Sequence, residues 1–410
     1  MAGFNITLSF EMIHGIPPRN VLDIQTLWSD ELFTSPNTYM NLYESAQSSE
    51  VWIPEDSQSS LIRSIISGHG LEGEWTNGIF YNIETLDELS IISKEIWRDD
   101  CGEVALYPQG GTWIYDRANW CPGDKATTRK HELTSYLTTG QDNLLDFDIY
   151  KASWNPAEAS YIYDVQLITY EEPNFSLDAV MEDIIAPSTK QEYFRFNPSC
   201  SNPIVKIKNQ GSQTLTSVEI VYGFEDYTQN TYSWSGNLEI GETEEVELPP
   251  INWYSWEEKV PFYARVESPN NSIDEYNVND QLYSDYEFVE EYPSTFAMWF
   301  KTNNVPNESS YELRDNDDNL LFSRSGMSAN TIYKDTFELD PGCYKFQILD
   351  SGEDGLSFWA NNDGDGYARL REVPGGFFKY YQADFGTELT DFFRVGDYSL
   401  SINGCTDPTA

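Results

Sequence analysis

The chain has 410 residues, of which 24 are Lys or Arg and 68 are Asp or Glu, giving a formal net charge of −44. That length calls for two to four domains, and a polyanion of this size repels phosphate backbones and anionic membrane surfaces, so nucleic acid is excluded as a partner. With 40% hydrophobic and 15% aromatic residues the chain carries enough core-forming side chains to fold, and it lacks the roughly 18 to 20 consecutive apolar residues of a membrane-spanning helix, so no membrane insertion is expected.

In chain order, apolar and polar residues alternate in short runs between turns rich in Gly, Pro, Asn and Asp. Phe4–Phe10, Ile204–Ile207 and Tyr344–Ile348 are examples. This period of two predicts an all-β protein of several sandwiches. Breaks marked by Pro and Ser at Ile185–Lys190 and Glu290–Ser294 divide it into three segments of the size of β-sandwich domains. Met1–Asn5 lacks a basic and apolar secretory leader, whereas the acidity and aromatic content fit an extracellular protein, so the natural N-terminus is expected to lie upstream. The five cysteines are Cys101, Cys121, Cys200, Cys343 and Cys405; an odd number leaves at least one without a partner in the chain.

In the first segment, Cys101 and Cys121 bracket a glycine- and aromatic-rich loop, Tyr107-Pro-Gln-Gly-Gly-Thr-Trp113 followed by Asp116-Arg-Ala-Asn-Trp-Cys-Pro-Gly123. A disulfide between them is predicted, worth about 3 kcal/mol in the chain-entropy account. Asp146–Tyr150 and Tyr161–Leu167 alternate as paired strands, which places this loop at the end of a sandwich, where binding residues collect.

These residues carry a resemblance. Trp-x-x-Asp-Arg-Ala-x-Trp-Cys-Pro-Gly at Trp113–Gly123, Ile65-Ile-Ser-Gly68 and Gly73-Glu-Trp75 resemble the second jelly-roll domain of the peptide-N-glycosidase F family, over roughly residues 1–172. Its members are secreted bacterial amidases of two eight-stranded jelly rolls that cut the bond between an asparagine side chain and the first sugar of an N-glycan. The resemblance implies that residues 1–18 hold the closing strand of a first jelly roll and residues 19–185 the second. It also implies that the essential aspartate belongs to the first, so no residue of this chain takes its role. Glu74 matches the third member of the family's acidic trio, but Glu72 and Thr76 replace a small disulfide beside it, and His69 stands where an aromatic is expected.

On this basis Glu74 is an auxiliary catalytic candidate that accepts a hydrogen bond or orients water, or else a solvated charge. Arg117 either bonds a substrate carbonyl or sugar hydroxyl or pairs with Asp116 to hold the loop. Trp113 and Trp120 either stack on a sugar or pack the loop. The related copper monooxygenases are set aside, because only His14, His69 and His131 exist and copper needs clustered imidazoles. No cofactor is expected for the amidase-like domain.

Residues 190–285 read as about seven short strands, an immunoglobulin-like sandwich resembling bacterial adhesion-type modules, and a spacer is the expected role. Residues 290–403 resemble the C-terminal β-sandwich modules beside secreted peptidases and adhesins, through Gly342-Cys-Tyr-Lys-Phe346 and Asp350-Ser-Gly-Glu-Asp-Gly355. The cysteine expected after that acidic turn is replaced by Phe358-Trp359, leaving Cys343 free in this reading. Asp350, Asp354, Asp363 and Asp365 alternate with glycines, which suits calcium or, equally, Asp-Gly turn chemistry. Residues 404–410, Gly404-Cys-Thr-Asp-Pro-Thr-Ala, resemble the start of a repeat from secreted Bacteroidetes proteins. Two functions therefore stand: the glycan-binding half of a secreted amidase acting on N-glycoproteins, inactive as this fragment, or a noncatalytic surface protein that binds glycan or peptide. Either is expected to be a monomer outside the cell.

Overall fold

The computed structural model describes residues 9–10, 15–34, 48–85, 90–104, 111–150, 159–196, 199–225, 227, 229–251, 253 and 260–396. Cys405, His14, most of the expected closing strand near Phe10 and the expected terminal repeat lie outside these residues. The protein is all-β, in three successive sandwiches.

The first comprises β1 (Arg19–Thr34), β2 (Ser49–Ile53), β3 (Ser59–His69), β4 (Phe80–Thr85), β5 (Ser90–Glu95), β6 (Thr128–Glu132), β7 (Gln141–Tyr150) and β8 (Ala159–Pro173). They form two four-stranded sheets in the orders β1-β8-β3-β6 and β2-β7-β4-β5. Every pairing is antiparallel. This interleaving of two Greek keys is the jelly roll. Alternation explains it: in β8, Tyr161, Tyr163, Val165 and Leu167 point into the core while the residues between them face outward. Across the sandwich they meet Val51, Tyr81 and Phe147 of the other sheet.

The second sandwich has β9 (Ala179–Ala186), β10 (Ile204–Asn209), β11 (Leu215–Phe224), β12 (Asn230–Leu238), β13 (Thr243–Glu247), β14 (Phe262–Glu267) and β15 (Gln281–Ser284). The sheets run β13-β10-β9 and β12-β11-β14-β15. The break in patterning at Pro187 is not where this unit begins. β9 precedes it, yet pairs with β10 and buries Ala179, Met181 and Ile184 in the second core.

The third has β16 (Glu290–Tyr292), β17 (Thr295–Lys301), β18 (Ser309–Asp315), β19 (Leu320–Arg324), β20 (Ile332–Glu338), β21 (Gly342–Asp350), β22 (Tyr367–Glu372), β23 (Phe377–Tyr380) and β24 (Glu388–Val395). Its sheets run β16-β24-β21-β18-β19 and β20-β17-β22-β23, around an aromatic core that includes Phe296, Phe300, Tyr311, Phe346 and Phe393.

Two disulfides link distant parts. Cys101 pairs with Cys121, as the bracketed loop predicts. Cys200 pairs with Cys343 and ties the β9–β10 connection of the second sandwich to β21 of the third, so Cys343 is not free. The sequence offered no partner for it nearby because that partner is supplied by another module.

Candidate functional site

The jelly-roll end is built on close backbone approaches. After β3 the chain makes a single helical turn, α1 (Leu71–Glu74), and the Trp113–Gly123 loop packs beneath it. Gly68 donates its N–H to the Ala118 carbonyl at 2.9 Å, and the Ala118 N–H donates to the Glu74 carbonyl at 3.0 Å. A Cβ on Gly68 would stand 2.1 Å from the Gly73 carbonyl oxygen, so this position needs glycine, and one on Gly73 would press on the Ser160 backbone at 3.0 Å. Asn119, with φ of 64°, takes the left-handed conformation that Asn tolerates. Its amide donates to the Ile66 carbonyl at 2.6 Å and the Thr127 carbonyl at 3.2 Å, fixing the loop to β3.

Arg117 is the centre of this arrangement and is only 3% exposed. Its guanidinium lies between two indoles, 4.5 Å from the Trp75 ring centre and 4.8 Å from that of Trp120. Its Nε is 3.4 Å from Glu74 Oε1, and a terminal nitrogen donates to the carbonyl and hydroxyl of Thr112. The ion-pair partner is thus Glu74 and not the neighbouring Asp116 weighed in the sequence. Burial pushes the Glu74 carboxyl above its ordinary range, with Arg117 pulling the other way. Burial likewise lowers Arg117, and Glu74 opposes it. Trp120 donates its indole N–H to the Gly68 carbonyl at 2.9 Å and stacks on His69 at 5.5 Å, so His69 fills the position where an aromatic was expected by presenting its own ring.

Trp113 is placed differently. It is fully buried, and its indole N–H donates to Asp384 of the third sandwich at 3.1 Å. It packs with Cys101, Val104, Ile114, Cys121 and Phe358 in a small core between the two modules, so its face is turned into protein. The sequence reading overlooked Trp75, which is 37% exposed and offers the open face of the Arg117 stack. The only sign was its place beside Glu74. Tyr115, 38% exposed, meets Trp75 edge-on at 6.3 Å.

The acidic turns of the third sandwich lie beside this loop. Asp350, Asp354 and Glu308 bring carboxylate oxygens within 4.8 Å of one another. Glu308, from the β17–β18 connection, was not anticipated. Asp350 accepts backbone N–H bonds from Asp354 and Gly355, both at 3.2 Å. The Asp354 carboxyl is pushed up to about 7, by burial first and then by repulsion from Asp350 and Asp363. Asp363 is close enough to act electrostatically on Glu308 and Asp354. Asp365 instead accepts the Ser357 hydroxyl at 2.8 Å and is not part of this group.

Residues 38–165 match the family described as Peptide-N-glycosidase F, C terminal. The jelly roll is similar to that family's domain. Among solved structures, the chain is similar to peptide-N-glycosidase F, a glycosylasparaginase from Flavobacterium meningosepticum, at 19% identity over 36% of this chain and 51% of that one, with a TM-score of 0.31. It is similar to PNGF-II at 18% identity over 37% of this chain and 30% of the other, with a TM-score of 0.28. A Bacteroides uniformis beta-glucuronidase is similar at 12% identity over 70% of this chain and 34% of that one, with a TM-score of 0.27. The chain spans about half the length of the first of these, 51%. No curated protein sequence matches it. No helix among the described residues is long and apolar enough to cross a membrane.

Proposed function

We propose that this chain is the glycan-binding half of a secreted peptide-N-glycosidase F-like amidase acting on N-glycosylated asparagine, and that it releases no glycan by itself. The observation that carries the reading is the Trp75–Arg117–Trp120 stack with Glu74 paired to its arginine, within the span that matches the family. An indole face and a carboxylate edge suit a sugar ring, which offers C–H groups on one face and hydroxyls around its rim. Arg117 is a positioning residue in this reading, since it is buried between the two indoles, paired with Glu74 and bonded to Thr112. The two disulfides support placement outside the cell, where such bonds persist. The strand order of the second sandwich, three strands against four, supports an immunoglobulin-like spacer.

Titration of the purified chain with chitobiosyl-asparagine is expected to show binding that Trp75→Ala abolishes and Glu74→Gln weakens about tenfold, the worth of one hydrogen bond to a charged group. No binding at millimolar ligand would reject the reading. Binding accompanied by release of free glycan from a denatured glycoprotein would reject the inactivity, and binding of peptide but not sugar would favour the noncatalytic alternative.

Calcium is proposed at Glu308, Asp350 and Asp354, with Asp363 nearby. Three converging carboxylates supply part of the six to eight oxygens that the ion takes. Asp365 is left out of the set. Millimolar calcium should raise the melting temperature of the full chain over that in excess chelator, by the equivalent of about 2.7 kcal/mol at a hundredfold excess over the dissociation constant. Asp354→Asn should remove the rise, and equal melting temperatures in the wild type would exclude the ion.

A further inference from the structure

Rings in contact run from the jelly roll onto the third sandwich. Trp75 meets Tyr115 at 6.3 Å, Tyr115 meets Phe358 at 5.6 Å, and Phe358 meets Trp359 at 6.0 Å. The two adjacent residues of the third sandwich divide the work. Phe358 is buried in the small core with Cys101, Trp113 and Cys121, and so anchors this turn to the jelly-roll loop. Trp359 is 69% exposed, yet its indole N–H donates to the Gly111 carbonyl at 2.9 Å. Its polar edge is therefore satisfied while its apolar face is held in water. Covering a large indole removes apolar area from water, and one already fixed in place loses little entropy when it is covered.

The charges around the ridge decide what fits it. Asp354 and Asp363 act on the Tyr115 hydroxyl, and Asp116, Glu103 and Asp99 act on Glu353 across the same junction. The loop's arginines are committed, Arg117 to Glu74 and Arg98 to Asp100 and Asp124. An excess of carboxylates repels sialylated, sulfated or phosphorylated ligands but accepts hydroxyl donors. Calcium on Glu308, Asp350 and Asp354 would still leave those three carboxylates with a net negative charge.

We propose that Trp359 and Tyr115 extend the sugar site of the jelly roll onto the third sandwich, forming one platform for the outer residues of a neutral oligosaccharide. This rests on the glycan-binding reading above and adds to it that the C-terminal module takes part in recognition. The platform crosses two modules, so it exists only while they are docked.

The test uses the full chain and two neutral probes, chitobiose and a high-mannose N-glycan, with a disialylated N-glycan as the charged comparison. The high-mannose glycan should bind more tightly than chitobiose. Trp359→Ala should weaken the high-mannose glycan roughly five- to tenfold, the worth of one stacking contact, and leave chitobiose unchanged. Trp75→Ala should abolish chitobiose binding and weaken the high-mannose glycan. Trp359→Phe, which keeps a ring but not the bond to Gly111, should retain most of the affinity. The disialylated glycan should bind more weakly than the neutral one, with the gap narrowing in high salt. Equal affinity of the wild type and Trp359→Ala for the high-mannose glycan, with chitobiose still bound, overturns the extension and leaves the jelly-roll site standing. A loss in Trp359→Phe as large as in Trp359→Ala overturns the stacking role. If neither sugar binds, both readings fall together, and Trp359-dependent binding of a basic peptide in their place would overturn the choice of ligand.

Discussion

Replacing Arg195 by Met should lower the stability of the full chain by about 3 to 5 kcal/mol, a loss as large as that of breaking a buried ion pair. Arg195 lies in the β9–β10 connection of the second sandwich, in the 3₁₀ segment Gln191–Phe196, and its side chain is buried. Its guanidinium donates to the Val104 and Gly102 carbonyls of the jelly-roll loop, both at 2.9 Å. It also donates to the Glu388 and Phe385 carbonyls of the third sandwich, at 2.6 and 3.4 Å. Methionine fills a similar volume but supplies no donors, so four carbonyls, three of them in buried bonds, would lose this partner. Each lost bond to a charged donor is worth about 1.5 to 3 kcal/mol, part of which returns because the guanidinium no longer has to be desolvated.

The damage should fall on one junction. Cys200–Cys343 still ties the second sandwich to the third, whereas the jelly roll meets the third module through Arg195, the Trp113–Asp384 bond and the Phe358 cluster. Calorimetry of the variant should therefore show the jelly roll melting apart from the rest, at a temperature lower by roughly 10 °C, at 2 to 4 °C per kcal/mol for a domain of this size. A wild-type melting profile would refute the role assigned to this residue. Arg195→Lys should rescue little, because one ammonium cannot serve four carbonyls arranged around a planar fork.

This junction marks the limit of what the sequence made legible. Alternation located β8, β10 and β21, because a strand with one buried face writes a period of two into its own residues. The Trp-Cys-Pro-Gly string located the loop and its disulfide for the same local reason. Trp113 was read as a candidate stacking face since nothing near it in the chain reports that Asp384 and Phe358 cover it. Arg195 carried no motif. Glu308, a single acid among 68, gains its place only when the β17–β18 connection folds against Asp350. The partner of Cys343 was invisible for a related reason, being 143 residues away. What escaped sequence reading is in each case a contact between segments far apart in the chain, most of them in different modules, whose two sides leave no shared local pattern.

Acidification should stabilise the second sandwich in the window from about pH 7 down to pH 4. Asp178 is buried just before β9, where Asn279 donates to its Oδ1 at 3.0 Å, and its Oδ2 has no hydrogen-bond partner among the described residues. Its carboxyl is pushed up to about 6, by burial first, with the Asn279 bond opposing and Asp274 and Glu275 adding repulsion that Lys208 partly offsets. Asp280, next to Asn279 in the β14–β15 connection, is pushed up to about 7 by burial and then by Asp274, Asp178 and Glu267. Both are acids with folded values above the unfolded value of about 3.9, so the folded state holds more protons throughout that interval. Their contribution to stability is fully present below the unfolded value and is lost as pH rises through 6 and 7. Asp183 of β9, which burial would raise but which its bonds to Lys190 and Tyr193 hold below the usual carboxylate range, acts in the opposite sense, but only at lower pH. For Asp178 alone, a displacement of about two units corresponds to at most about 3 kcal/mol. Calorimetry in 0.5 M salt, which screens the general charge of the surface, should show the second sandwich melting at a higher temperature at pH 5 than at pH 7.5. Asp280→Asn removes the group pushed furthest up while Asp178 stays buried and repelled by Asp274 and Glu275, so the variant should melt higher than the wild type at pH 7.5 and change less between the two pH values. A wild type that melts lower at pH 5, or a variant that follows it at both pH values, would contradict the assignment.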